Sequence, residues 1–347
     1  MPELDNARSA LAWACGQAGQ LDLAVGLAGS VEPVFATQFL TVEAAELMLS
    51  LRPRIDASVV PQRAGRFWTG LACLGMALRV PLADALDAAD RAEQLYRAQR
   101  MDKRRFLVLT RKAELLTLAG EWRAAQALLP VQLDLEASTW AAWRVGMRMH
   151  AQGWILLTQG ELEAALALHR DMHRLMSQAQ GEDRSLLESE SELCRYLYLT
   201  ARYEECIAQA GLALARVGGS ALANMPLLSR HLMMAQALSG RIANARQTLL
   251  EGMPGWRRHG VYQASSAFAL MRAALGHWAD AARISAASVA FMRCTRIVFA
   301  PSLESANEHA QALLVAAGCD AADLRRWERE GEALDEAAIE AICLRAV

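Results

Sequence analysis

The segment LAGEWRAA, residues 118–125, decides the fold. It combines a glycine, a large apolar residue two positions later and an alanine three positions after that. Glycine readily adopts the left-handed conformation that ends a helix, and alanine allows two helix backbones to approach closely. The segment therefore predicts the end of one helix, a tight turn, and the start of a second helix that packs against the first.

Variants of this segment recur along the chain, among them LTQGELEAA at 157–165 and ALGHWADA at 274–281. The predicted turn positions are Gly19, Val80, Gly120, Gly160, Ala201, Gly240 and Gly276. After a first spacing of 61 residues, the spacings are 40, 40, 41, 39 and 36. Such a period indicates stacked helical hairpins, because no single hairpin buries its apolar face alone.

Each copy also predicts how its two helices pack. The large residue two positions after the turn is expected to wedge between the helices, so Trp122 and Trp278 are predicted to be core residues. The small residues three positions further on are expected at close helix crossings, namely Ala24, Ala85, Ala125, Ala165, Cys206, Ala245 and Ala281. Gly252 with Pro254 is predicted to mark a loop between hairpins.

Composition narrows the class of protein. Hydrophobic residues make up 54% of the chain and the formal net charge is −2, so we expect no direct binding of nucleic acid, which favours a basic surface. The seven cysteines form no CxxC pair, which favours free thiols in a reducing cytoplasm. No signal peptide or membrane-spanning stretch is evident, so a cytoplasmic location is expected.

The repeats resemble tetratricopeptide repeats, although the family period is 34 residues rather than about 40. The N-terminal segment 2–31 is similar to the start of the array in the C-terminal sensor regions of bacterial STAND-class ATPase transcriptional regulators, of the LuxR and maltose-activator type. The matching residues are Asp5, Asn6, Arg8, Ala10, Leu11 and Trp13, whereas Ala7 replaces the usual leucine. The resemblance implies a sensor module whose ATPase and DNA-binding parts lie on other sequence.

The predicted fold is accordingly all-α, a right-handed superhelix of tetratricopeptide-like hairpins with a repeat near 40 residues. One helical-repeat domain is expected over 1–347, with atypical first repeats at 1–60, regular repeats at 61–318 and a C-terminal cap at 319–347. The expected function is binding of an effector or protein on the concave face, with possible self-association. The alternative is a standalone adaptor that binds a partner peptide.

Candidate ligand-binding residues follow from the family alignment, in which positions ten, nine and six before each turn point into the groove. The selected residues are Arg111, Glu114, His150, Trp154, Glu192, Arg195, Arg230 and His231. Arginine binds carboxylate and phosphate through paired hydrogen bonds, so an anionic or aromatic ligand or a peptide terminus is expected. The equally weighted alternative is that the arginines and glutamates pair with one another across adjacent helices.

Other candidates for chemistry are weaker. His169 and His173 have the i, i+4 spacing of a metal pair but no third ligand, so a solvated helix face is the favoured interpretation. Trp140 and Trp143 either line a pocket or pack between repeats. We find no GxxxxGK, GxSxG or HExxH motif, and therefore expect no catalytic residues, no metal, no cofactor and no enzymatic activity.

Overall fold

In the computed structural model, the described residues are 2–17, 19–37, 40–137, 140–179, 183–218, 222 and 225–345. These residues form nineteen α-helices and two short 3-10 segments, Arg52–Arg54 and Val261–Ala264, with no β-strand among them. The all-α prediction is therefore confirmed. None of the described helices is both long enough and apolar enough to cross a membrane.

The chain divides into two compact units, residues 1–151 and 152–347. The first unit contains α1 (Pro2–Gly16), α2 (Leu21–Thr37), α3 (Thr41–Leu51), α4 (Pro61–Met76), α5 (Leu82–Ala98), α6 (Asp102–Leu118), α7 (Trp122–Gln126), α8 (Leu129–Leu135) and the start of α9 (Ala142–Thr158). The second contains the rest of α9 and α10 (Leu162–Gln178), α11 (Asp183–Leu199), α12 (Tyr203–Val217), α13 (Pro226–Leu238), α14 (Ile242–His259), α15 (Ser265–Ala274), α16 (Trp278–Thr295), α17 (Pro301–Ala316), α18 (Ala321–Gly331) and α19 (Glu336–Leu344).

Six of the seven predicted turns have the left-handed conformation that ends a helix. Their φ angles lie between 56° and 82°, at Gly19, Gly120, Gly160, Ala201, Gly240 and Gly276. At the turn after α9, the Gly160 N–H donates to the carbonyl of Leu157 at 3.0 Å, and the Glu161 N–H donates to that of Leu156 at 2.9 Å. This pair of bonds is the Schellman arrangement, which satisfies carbonyls that a helix end leaves without a partner.

The prediction of a turn at Val80 was wrong. The left-handed residue is Leu78, with φ of 56°, and its N–H donates to the carbonyl of Gly75 at 3.0 Å. Pro81 follows Val80, and a residue before proline is held in extended conformations. Helix α4 ends at Met76, and the left-handed residue lies two positions earlier than predicted. Helix α5 still begins at Leu82, as the repeat requires.

The predicted small residues at the helix crossings are confirmed, since all seven are completely buried. The large residues at the wedge position behave differently. Trp278 is half-buried and packs against the core of the second unit, Trp122 is half-buried, and Leu162 is 37% exposed, so the wedge residues lie at the edge of the core and are not fully buried. Each of these three residues is the first residue of its helix.

In the first unit, an additional helix explains the long first spacing of the repeat. Helix α3 and the 3-10 segment lie between α2 and α4, and α2 packs against α1, α3 and α4. Gly29 permits the crossing of α2 over α4, because a Cβ there would lie 2.5 Å from the backbone nitrogen of Phe67. Arg8 of α1 donates to both carboxylate oxygens of Glu43 in α3 at 2.7 Å.

In the second unit, the helix at the end of the array turns back over earlier hairpins. Helix α17 packs against α15 and α16 and also reaches α11. Ser302 lies 3.2 Å from the ring nitrogen Nε2 of His231 in α13, and Ser305 lies 3.3 Å from the hydroxyl of Tyr198 in α11. Helix α18 then packs against α16, and α19 packs against α15.

The proposed loop at Gly252 and Pro254 was also wrong, because both residues lie inside α14. The ring of Trp256 packs over Gly252, where a Cβ would lie 2.8 Å from the ring. The indole nitrogen of Trp256 donates to the carbonyl of Pro226 at 3.0 Å. Gly252 and Trp256 are both buried in α14. Tertiary packing here overrides the weak preference of glycine and proline for a helix.

Candidate functional site

The eight predicted binding residues occur on four helices, α6, α9, α11 and α13. Six of them are buried, and Arg111 and His150 are half-buried. Charged side chains are rarely buried unless they are paired or serve a function. These residues form one polar cluster in the first unit and one in the second.

In the first unit, Arg111, Glu114 and His150 come together. Arg111 donates a hydrogen bond to Glu114 one turn along α6, and the ring nitrogen Nε2 of His150 lies 3.8 Å from the other oxygen of this carboxylate. Glu114 is almost fully buried, at 1% exposure. The pairing alternative thus holds for Arg111 and Glu114, although the two residues share one helix and do not belong to adjacent helices.

Two further residues belong to this cluster and were not selected from the sequence as binding residues. Glu32 of α2 is 6% exposed, and burial raises the pKa of its carboxyl to about 7, although Arg111 acts in the opposite direction. Burial also raises the pKa of the Cys73 thiol to about 11. A signal for Glu32 is present in the sequence, since it is the only charged residue in the stretch 23–36.

In the second unit, Arg195 and Glu192 form an ion pair on α11, with Nη1 of Arg195 lying 3.0 Å from a carboxylate oxygen of Glu192. The guanidinium of Arg195 also stacks over the indole ring of Trp154, 4.9 Å from the ring centre. Both charged side chains are nearly buried, at 8% and 12% exposure. Cation–π contacts of this kind strengthen when water is excluded.

Arg230 lies in the same cluster on α13. Its Nη1 donates to the backbone carbonyl of Gln263 at 2.6 Å, and its Nε is buried without a hydrogen-bond partner among the described residues. The pKa of Arg230 is lowered to about 9, chiefly by burial and then by the positive charge of Arg195, against the opposing effect of Glu192. Two buried guanidinium groups thus share the negative charge of Glu192.

The neighbouring acid, Glu190, does not balance the positive charge of Arg195 and Arg230. Glu190 is 1% exposed, but it accepts a hydrogen bond from Arg216 of α12. His231, next to Arg230, is completely buried, and burial together with Arg230 and Arg195 holds its pKa well below the usual range. His231 is therefore neutral at pH 7, and its contact with Ser302 places it beneath α17 instead of in an open groove.

The interpretation of His169 as part of a solvated face was wrong. Its ring is completely buried and stacks on Tyr196 at 3.8 Å between ring centres. Its Nδ1 lies 3.0 Å from the carbonyl of Ala165. Gly153 makes room for the ring, because a Cβ there would lie 2.8 Å from this Nδ1. His173 is only half-buried, and burial lowers its pKa.

Both interpretations of Trp140 hold. Its ring packs edge-on against Phe106 at 5.0 Å, and it also lines an open surface pocket of about 520 Å³ in the first unit. Met101 and Arg104 line the same pocket. Trp143 lies outside its lining and is covered by the guanidinium of Arg144 at 4.4 Å.

Comparisons with known proteins give no family for this chain. No protein-family model matches it, and no curated protein matches it. Among solved structures it is similar to the crystal structure of aspartyl phosphate phosphatase F from Bacillus subtilis, with 10% identity and a TM-score of 0.44. That match covers 90% of this chain and 84% of the other. The fold assignment therefore depends on the helices and turns described above.

Proposed function

We propose that this chain is an effector-sensing module of a bacterial signalling regulator, and that Arg195 and Arg230 bind an anionic group of the effector. The observation that carries the proposal is the excess of buried positive charge around α11 and α13. Two guanidinium groups face Glu192, and Arg230 retains a buried Nε without a partner among the described residues. An incoming carboxylate or phosphate supplies the missing charge and the missing acceptor.

Charge burial explains why an anion is the expected ligand. A buried charge without a counter-charge destabilises a protein by several kcal/mol. The lowered pKa of Arg230 has this cause. Hydrogen bonds between guanidinium and carboxylate or phosphate are about twice as strong as neutral ones, and the planar fork of arginine makes them in pairs.

Trp154 adds a second element of recognition. Its ring is 8% exposed and lies against the guanidinium of Arg195. An indole in contact with a cation provides a flat apolar surface beside the charge. The effector class that fits is a small molecule with a carboxylate or phosphate attached to an apolar or aromatic body.

The resemblance of segment 2–31 to STAND-class regulators supports the signalling role. In that setting, effector binding to the helical hairpins regulates an ATPase on other sequence. The alternative role, an adaptor for a partner peptide, uses the same chemistry, because a free peptide C-terminus is also a carboxylate that arginine recognises.

Thermal unfolding with three anions at constant ionic strength tests the proposal. The ligands are succinate, inorganic phosphate, and a peptide with either a free or an amidated C-terminus. A ligand at about 100 times its Kd stabilises the folded state by about 2.7 kcal/mol, which raises Tm by on the order of 5 °C. Stabilisation by succinate or phosphate alone supports a small effector, whereas a response to the free but not the amidated peptide supports the adaptor.

Two variants distinguish site binding from general salt effects. Arg230→Gln removes the charge at the cluster and is expected to abolish the response to the anion. Arg246→Gln removes an exposed charge from α14 of the same unit and is expected to leave the response unchanged. An equal rise in Tm for both variants and the wild type would show that the anions act on the whole surface, and the proposal would fail.

A further inference from the structure

The open pocket beside Trp140, here called the Trp140 pocket, is lined by two successive helix connections of the first unit. The connection from α5 to α6 contributes residues 100–104, and the connection from α8 to α9 contributes Leu135, Ala137 and Trp140. The volume of the pocket is about 520 Å³. Sites for small ligands have volumes of about 300–1,000 Å³, so a ligand of moderate size fits here.

Positive charge predominates in the lining of the Trp140 pocket. Its ionisable residues are three cations and one acid, namely Arg100, Lys103, Arg104 and Asp102. The lining therefore has a formal net charge of +2, and its remaining residues are apolar. A lining of this kind favours a ligand with more than one negative charge.

The three cations of the pocket have no counter-ion within the described part of the chain. None of their side chains forms an ion pair or a hydrogen bond with a described residue, and all three reach solvent. Cations further along α6 are paired, since Arg105 lies 2.8 Å from Glu93 and Lys112 pairs with Asp90. The fold thus uses the cations beyond the pocket and leaves those of its lining available to a ligand.

Trp140 gives the pocket an aromatic wall. Its ring is half-buried and packs edge-on against Phe106, with 5.0 Å between the ring centres. The guanidinium of Arg144 lies 5.9 Å from the centre of the same ring. These contacts hold the indole in place, and an indole beside cations is a surface on which a heteroaromatic base stacks.

We propose that the Trp140 pocket binds a nucleoside diphosphate, with the base against Trp140 and the phosphates against Arg100, Lys103 and Arg104. A diphosphate carries about three negative charges near neutral pH, which matches the three cations and outweighs Asp102. Arginine binds phosphate oxygens in pairs, and lysine adds a point charge. A single carboxylate would leave most of the positive charge uncompensated. The proposal concerns the first unit alone and does not depend on the anion site of the second unit.

Calorimetric titration with adenosine diphosphate, adenosine and pyrophosphate tests the proposal. The titrations are made at constant ionic strength without divalent cations. We expect adenosine diphosphate to saturate one site per chain. Adenosine lacks the phosphates and pyrophosphate lacks the base, so we expect each to bind at least about tenfold more weakly. The affinity for adenosine diphosphate is expected to fall as salt is added, because the cations are accessible to solvent.

Variants of the cations locate the phosphates. Arg104→Gln and Arg100→Gly each remove one charge and are expected to weaken binding of adenosine diphosphate about tenfold. Arg100 has a left-handed backbone conformation, with φ of 55°, which glycine adopts more readily. We therefore expect Arg100→Gly to weaken binding without lowering Tm, so that the loss is not a loss of folding.

Variants of the aromatic wall locate the base. Trp140→Leu is expected to weaken binding of adenosine diphosphate about tenfold while leaving that of pyrophosphate unchanged, whereas Trp140→Phe retains most of the affinity. Arg54→Gln removes an exposed cation of the first unit that does not line the pocket and is expected to bind like wild type. Arg230→Gln, which alters the second unit, is expected to bind adenosine diphosphate like wild type as well.

Three results would overturn the proposal. The first is the absence of saturable binding of adenosine diphosphate. The second is pyrophosphate that binds as tightly as adenosine diphosphate, since the base would then make no contact with Trp140. The third is binding that is lost in Arg230→Gln but kept in Arg104→Gln, which would assign the nucleotide to the second unit.

Discussion

The buried polar clusters of the two units each contain an Arg–Glu pair on one helix but differ in the third charged group. In the first unit, the carboxyl of Glu32 is buried beside the paired Arg111 and Glu114, and burial raises its pKa to about 7. In the second unit, the guanidinium of Arg230 is buried beside the paired Arg195 and Glu192, and burial lowers its pKa to about 9. The difference shows that packed helices can bury a third charge of either sign, because other positions make the contacts between the helices.

The largest expected effect comes from breaking a pair. Glu114→Gln removes the carboxylate that accepts the hydrogen bond of Arg111, and removal of one partner of a buried ion pair costs about 3 kcal/mol. We expect a loss of this size in the free energy of unfolding, measured by urea denaturation at pH 7. A loss below about 0.5 kcal/mol would place Glu114 among the weak surface pairs and contradict the described geometry.

Removal of the buried Glu32 carboxyl is expected to increase the free energy of unfolding at high pH. The pKa of Glu32 is about 7 in the folded state and 4.5 in its reference state. The folded state therefore retains a proton that the unfolded state releases, and stability falls as pH rises from about 4.5 through 7. We expect Glu32→Gln to gain about 2 kcal/mol relative to wild type between pH 5 and pH 8.

Urea denaturation of both proteins at the two pH values checks this expectation. The effects of all other titrating groups cancel when the two proteins are compared. A constant difference between wild type and variant across this range would mean that the pKa of Glu32 is not raised in the folded protein, which would contradict the burial described for this carboxyl.

Removal of the excess guanidinium is expected to have a smaller effect on stability. Arg230→Gln loses the hydrogen bond to the carbonyl of Gln263 but also relieves the repulsion with Arg195. Replacement of a buried charge that lacks a partner is often neutral or stabilising. We expect a free energy of unfolding within about 1 kcal/mol of wild type, and a loss above about 3 kcal/mol would show that Arg230 is already balanced.

The smallest effect is expected on the exposed surface of the second helices. Arg174 and Asp171 of α10 form an ion pair at 2.5 Å, but both side chains are more than half exposed. Exposed pairs contribute less than about 1 kcal/mol and are screened by salt. We therefore expect Arg174→Gln to change stability by less than about 0.5 kcal/mol, and a larger loss would indicate that burial alone does not separate the clusters from other pairs.

The sequence predicts the hairpins well because their determinants are local. At six of the seven turns a left-handed residue ends the first helix and a small residue follows five positions later, so spacing alone locates both. The departures have non-local or neighbouring causes: Pro81 moves one turn to Leu78, and the packing of Trp256 keeps Gly252 and Pro254 within α14.

The candidate sites were predicted only in part. The repeat register identifies Arg111, Glu114, Arg195 and Arg230, because positions relative to each turn recur. It does not identify Glu32, since α2 precedes the regular repeats, and it does not predict that α17 covers His231. Whether a charged residue is balanced depends on side chains from several helices, which one helix pattern does not reveal.

The most direct test of the anion site compares one ligand across three proteins. The rise in Tm with succinate at pH 8 and constant ionic strength is measured for wild type, Arg230→Gln and Glu32→Gln. We predict that Arg230→Gln loses the response, whereas Glu32→Gln, whose substitution lies in the first unit, responds like wild type. Retention of the response in a folded Arg230→Gln variant, or its loss in a folded Glu32→Gln variant, would contradict the account.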